Sequence, residues 1–151
     1  IALARHGDAE LFYRGVIPSL YSPAFLEAHG EMIEARLEKI RKLPPEYFRG
    51  QIELYEAFKR DVTMSEELHR IACPVLVVCG EADILKPVEF SRIIAERIPN
   101  ARLVTIPGAG HVSIFEAPQT IRSLALGFLA DLPDRAERPQ RAQSGRAAQR
   151  G

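Results

Sequence analysis

Up to about residue 72 the hydrophobic positions recur every three or four residues, the spacing of one face of a helix. Over 8–20 the apolar stripe is Leu11, Phe12, Val16 and Leu20, which packs on other helices or walls an apolar pocket. Ser22 is placed to cap a helix that has Pro23 at its first position and carries Leu26, Met32, Ile33, Leu37 and Ile40 through Lys42. Pro44 and Pro45 end that pattern and begin the next. A helix over 46–60 then presents Phe48, Ile52, Tyr55 and Phe58, and Thr63 with Glu66 forms a capping box for a short helix ending near Arg70. No strand pattern occurs in this stretch.

The period switches at Cys73. Val75, Leu76, Val77 and Val78 make an unbroken aliphatic run between Pro74 and Gly80, the pattern of a parallel strand covered on both faces. A helix follows over 87–98 with Phe90, Ile93, Ile94 and Ile98 inward, then a second strand over 102–106. Pro118 opens a last helix that carries Ile121, Leu124, Ala125, Phe128 and Leu129 up to Leu132. The expected fold class is therefore α/β, with helices (1–72) preceding a strand, helix, strand, helix parallel unit (73–132). Residues 133–151 hold five Arg but no large apolar residue, and they read as a disordered tail that cannot offset the entropy of ordering.

Composition narrows the partners. The 151 residues are 46% hydrophobic and 26% charged, enough for one folded domain. Twenty Lys and Arg balance twenty Asp and Glu, which gives no general electrostatic reason to seek nucleic acid or an anionic membrane. The longest apolar run, at 71–79, is broken by Pro74 and falls far short of the roughly 20 residues that cross a bilayer. Cys73 and Cys79 straddle a strand, too far apart for a disulfide, and read as reduced core thiols of a cytoplasmic protein. His6, His29, His69 and His111 are scattered, so no metal site is expected. The glycines 108 and 110 miss both phosphate-loop spacings, which leaves nucleotide binding without a motif.

In a parallel strand, helix, strand unit the loops after both strands emerge at one carboxyl edge, where open α/β sheets hold ligands. Asp83 lies in the first such loop and His111 in the second. Singly, Asp83 reads as a turn residue and His111 as an idle loop histidine. Together, a carboxylate accepting the Nδ1 proton of an imidazole fixes the tautomer that frees Nε2 to act as a base. Val112, next to that base, is expected to border the substrate. Glu116 reads as serving the start of the last helix.

The run from Ile71 through Val75-Leu76-Val77-Val78-Cys79-Gly80-Glu81-Ala82-Asp83, with Pro87 behind it, resembles the penultimate strand and acid loop of the α/β-hydrolase family. Pro107-Gly108-Ala109-Gly110-His111, with Glu116-Ala117-Pro118 after it, resembles that family's histidine loop and final helix. The order, acid then His, is the end of the Ser, Asp, His order of those enzymes. The helices before residue 73 resemble the family's helical cap, and Ser22-Pro23-Ala24-Phe25 is similar to the caps of the enol-lactonase and small carboxylesterase branch. The resemblance implies a partial α/β-hydrolase fold whose complete form cleaves an ester or lactone through an acyl-enzyme. It assigns Asp83 and His111 as catalytic residues, needs no cofactor, and leaves esterase, lactonase, haloperoxidase-like and carbon–carbon hydrolase chemistry open.

The nucleophile is absent from the resemblance. No Gly-x-Ser-x-Gly elbow occurs: Ser144 precedes Gly145 but has Ala142 before it, Cys79 lacks the flanking glycines, and Ser113 is too close in sequence to His111. With Ile at position 1, the chain is expected to be a fragment that requires the amino-terminal half of the core as partner. The competing expectation is a non-catalytic remnant or interaction module that keeps half the fold.

Overall fold

The computed structural model describes residues 2–61 and 64–133. The expected tail over 133–151 and the Thr63 of the capping box therefore lie, but for Pro133, outside the described residues. Helices α1 (Ala2–His6), α2 (Ala9–Leu20), α3 (Pro23–Ala28), α4 (Gly30–Ile40) and α5 (Pro45–Asp61) come first, followed by a 3-10 turn at Met64–Arg70. The rest is β1 (Val75–Gly80), α6 (Val88–Arg97), β2 (Ala101–Ile106), α7 (Ser113–Glu116) and α8 (Pro118–Ala130). The α/β class read from the sequence, helices followed by a parallel strand, helix, strand, helix unit, is the one observed.

Local chemistry sets the helix boundaries. Gly7, at a φ of 79°, turns the chain between α1 and α2. Asp8 then caps α2, its carboxylate accepting from the Leu11 amide at 3.0 Å. Ser22 caps α3 through Phe25 N at 3.2 Å, with Pro23 behind it. The single helix expected over 23–42 is broken at His29. That residue leaves helical geometry at φ −129° and ψ 33°, and its ring stacks on Phe25 with centroids 4.0 Å apart. The Phe25 carbonyl, lacking a continuing helix, lies 3.0 Å from His29 Nδ1.

Two small cores hold the helices together. Tyr13, Ile17, Tyr21, Ile33 and Leu37 bury one between α2 and α4, with Leu20, Leu26, Ile40 and Val112 packed against it. Ala4, Phe12 and Phe48 bury the other between α1, α2 and α5, with Val16, Ile52 and Tyr55 at its margin. Helix α2 thus buries two faces, which corrects the single stripe read from its sequence: Leu11 of that stripe is exposed and Tyr13 and Ile17 are inside. Met32 and Phe58, expected inward, are exposed as well.

Strands β1 and β2 pair in parallel from Val75 opposite Ala101 to Gly80 opposite Ile106, with α6 as the crossover. Only the carboxyl ends of these strands are buried. The expectation of a strand covered on both faces is met only in part: Val75, Leu76, Val77 and Val78 are half-buried, and the two described strands leave their outer edges unpaired. On α6, Ile98 at the end is buried, but Phe90, Ile93 and Ile94, expected inward, are exposed; α8 buries no residue. Cys79 is in the core, whereas Cys73, expected there too, is exposed in the loop before Pro74. No helix among the described residues is long and apolar enough to cross a membrane.

Candidate active site

The site is built where β1 and β2 end side by side. Past Gly80 the chain turns sharply, Glu81 N donating to Ile106 O at 3.0 Å and Ala82 N to Ala109 O at 2.9 Å, so the two loops are laced together by backbone hydrogen bonds. No side chain fits between them: a Cβ on Gly80 would stand 2.1 Å from the Ala109 carbonyl oxygen. Glu81 adds a tie of its own, accepting from the Thr105 hydroxyl at 2.8 Å.

Asp83 is buried in this turn and uses its two oxygens for different tasks. Oδ1 accepts from the amides of Leu85 and Lys86 at 2.9 and 2.7 Å, folding the loop that leads to α6. Oδ2 lies 2.8 Å from Nδ1 of His111. An ionised carboxylate can only accept, so the Nδ1 position carries the proton and the neutral ring keeps Nε2 free as an acceptor. The His111 side chain is about a third exposed (32%) against 5% for Asp83, so the ring is held from its shielded side and open on the other. This arrangement can take a proton from a hydroxyl and return it to a leaving group.

His111 is fixed from the helical side too. Val112 N donates to Leu20 O at 3.0 Å, and its side chain rests on the Tyr13, Ile17, Tyr21, Ile33, Leu37 cluster. Gly110 is wedged: a Cβ there would meet Ser22 N at 2.6 Å, Glu116 Oε1 at 2.8 Å and the Tyr21 carbonyl carbon at 2.8 Å. Glu116 does not cap α8, which starts behind Ala117 with no side-chain cap. Its Oε1 accepts instead from the Ser22 amide at 2.9 Å. No sequence signal at Glu116 pointed to Ser22. Arg36 of α4 donates to the Tyr21 hydroxyl at 2.6 Å and lies over the Phe115 ring, 5.2 Å from its centroid. Ser113 is buried at the start of α7.

A cleft of about 610 Å³ lies elsewhere, between α1, the start of α2 and α5, and neither Asp83 nor His111 lines it. Its cations are already matched, Arg41 by Glu10 and Glu38, Arg5 by Glu56 and Arg49 by Glu46, so it offers no surplus charge to an anion. Among the described residues no three His, Cys, Asp or Glu side chains are grouped to hold a metal ion.

Comparison with known proteins extends this picture. A relative from Caulobacter sp. (strain K31), provisionally named carbamate hydrolase RutD, is 36% identical over 113 residues, which are 74% of this chain and 41% of the relative. The crystal structure of MGS-M2, an α/β hydrolase enzyme from a Medee basin deep-sea metagenome library, superposes with a TM-score of 0.79 at 32% identity, over 87% of this chain and 48% of that one. The enol-lactonase of Burkholderia xenovorans LB400 shares the fold, with a TM-score of 0.73 at 20% identity over 86% of this chain and 48% of that one. The chain thus spans less than half the length of these relatives. The family model described as TAP-like protein, one of the α/β-hydrolase models, matches residues 56–138, more than half of the sequence and the whole of the strand, acid-loop, crossover and histidine-loop unit. By that match and by these structural likenesses, the chain belongs to the α/β-hydrolase family.

Proposed function

We propose that this chain is the helical cap and carboxyl-terminal core half of a serine-type hydrolase that cleaves a carboxylic ester or lactone through an acyl-enzyme. The observation that carries the reading is the 2.8 Å contact between the buried Asp83 carboxylate and Nδ1 of a His111 side chain that is itself about a third exposed. In this role His111 takes the proton of a serine hydroxyl as it attacks the acyl carbon. It then gives the proton to the departing alcohol and repeats both steps with water. Asp83 holds the ring in the required tautomer and stabilises the imidazolium that forms in each transfer. Val112, between the base and the helical cluster, is the apolar wall for the hydrophobic part of the substrate. Two unpaired thiols fit a reducing, cytoplasmic setting.

The serine and the oxyanion hole belong, on this reading, to an amino-terminal half of the core. Its support is the span of less than half of the relatives' length and the missing elbow in 151 residues. That half would cover the open sheet and the exposed Phe90, Ile93, Leu126 and Leu129. The test is a short-chain aryl ester assay on this chain alone and on the chain joined to the segment encoded upstream in its reading frame. The chain alone is expected to be inactive and the joined form active, with His111→Ala removing on the order of 10⁴ to 10⁶ of the rate. Strong hydrolysis by the 151-residue chain alone would overturn the assignment of the nucleophile to another segment.

A further inference from the structure

We infer that Glu116 is a positioning residue for His111, acting through a strut that ties the histidine loop to the corner between α2 and α3. The carboxylate oxygen Oε1 accepts from the backbone amide of Ser22, 94 positions away in sequence, at 2.9 Å. Between the two ends of that bond lies Gly110, the residue before His111, with no room for even a methyl group. A Cβ added at Gly80 would in turn meet the Ala109 and Gly110 carbonyl oxygens, at 2.1 and 2.4 Å. The peptide that carries the imidazole is therefore gripped between the end of β1 and the Tyr21, Ser22 corner, and Glu116 closes the grip. Val112 N to Leu20 O, at 3.0 Å, fastens the residue on the other side of His111 to the same corner.

The chemistry of the strut suits a positioning role. A carboxylate on a backbone amide is a charge-assisted hydrogen bond, shorter and stronger than one between neutral groups. Glu116 is half-buried and Ser22 fully buried, so water competes poorly for the bond. Freeing it leaves a buried amide at Ser22 without a partner and lets the histidine loop move off the corner, which lengthens the Asp83 to His111 contact that depends on it. The consequence for rate rests on the proposed function, but the consequence for the imidazole does not.

The strut can be cut from either end. Glu116→Ala removes the acceptor, while Glu116→Gln keeps an oxygen at the same reach. Ser22→Pro removes the donor and sets its ring Cδ where the N–H pointed, which displaces the Glu116 carboxylate, in a residue already at φ −66°, which proline adopts, behind a Tyr21 that is already extended. Ser22→Ala keeps the donor and loses only the hydroxyl that caps Phe25. The readout is the ring Nδ1 proton of His111 in this chain, followed by nitrogen-15 NMR, with the β1 and β2 amides as the check on folding. Glu116→Ala and Ser22→Pro are expected to speed exchange of that proton with water by about tenfold or more, and Glu116→Gln and Ser22→Ala to leave it slow. In the joined, active form Glu116→Ala should lower kcat and leave KM in place. If Glu116→Ala does not fold, the contrast between Ser22→Pro and Ser22→Ala decides on the same terms. A His111 proton equally protected in all four variants overturns the inference. If the exchange contrast is seen and no ester is turned over, the strut stands and the proposed function falls.

Discussion

The helical region and the α/β region of this chain solve the burial problem differently. Helices α1, α2, α4 and α5 carry Ala4, Phe12, Tyr13, Ile17, Ile33, Leu37 and Phe48, buried in two clusters between them. In the α/β region Cys79, Ile98, Ile106 and Ala109 are the buried apolar residues, all at or near strand ends and their loops, while α8 buries nothing. Order near the candidate site is thus supplied less by a hydrophobic core than by backbone hydrogen bonds, two glycines without space for a methyl, and a carboxylate that faces two ways. Precision and burial are separate properties here. The candidate dyad sits among backbone bonds between two loops rather than in either hydrophobic core.

Cutting into each region should expose that contrast most sharply with Leu37→Ala. Leu37 is fully buried, and its truncation is expected to cost about 2–5 kcal/mol, whereas Leu129→Ala on exposed α8 should stay within about 0.5 kcal/mol. Denaturant titration followed by circular dichroism measures both, and equal losses would erase the distinction. Next in size, Gly80→Ala forces a methyl into backbone carbonyls and is expected to cost about 1–3 kcal/mol while disturbing the His111 ring resonance. Loss of stability with an unchanged ring signal would show that the two loops are not coupled through this contact.

A smaller effect, of opposite sign, is expected in the helical core. The Tyr13 hydroxyl is buried without a hydrogen-bond partner, and burial, with Tyr21 nearby, pushes its phenol pKa up against the pull of Arg36. Tyr13→Phe removes an unsatisfied polar atom and should raise stability by about 1 kcal/mol, read as a shift of the denaturation midpoint. A destabilised variant would mean that a solvent molecule serves the hydroxyl. The smallest effect concerns Glu10, whose pKa is held below its usual 4.5 by hydrogen bonds from Arg14 and Arg41. A carboxylate with a depressed folded pKa contributes stability above its unfolded pKa and loses it as pH falls through the folded one. Thermal melts between about pH 6 and pH 3 should show this loss, weaker in high salt because the group is exposed, and Glu10→Gln should flatten it.

The sequence made the α/β unit and its dyad legible for one reason: both loops follow runs whose boundaries are marked by Pro74, Gly80, Pro107 and Gly108. An unbroken aliphatic run and its punctuation are local features, and they place Asp83 and His111 in neighbouring loops without any knowledge of the rest of the chain. The faces of the helices were less legible. Helix α2 meets α4 through Tyr13 and Ile17 and meets α1 and α5 through Phe12 and Val16, and a search for one stripe merges two. Phe90, Ile93 and Ile94 show a further limit, since a pattern announces that a face is built for a cover without saying whether this chain supplies it. Glu116 was unreadable because its partner is a backbone amide, which every residue but proline carries and no side-chain pattern marks.

The divided duty of Asp83 bears on how such a chain would drift if its chemistry were lost. One oxygen holds Leu85 and Lys86, so the loop needs this residue even in a protein that catalyses nothing. Among the described residues His111 has no comparable second occupation, since its ring bonds only to Asp83. Selection for folding would therefore preserve the acid long after selection for turnover had ceased, while the imidazole would be free to change. Of the pair, the histidine is the more telling position at which to look for loss of the proposed activity.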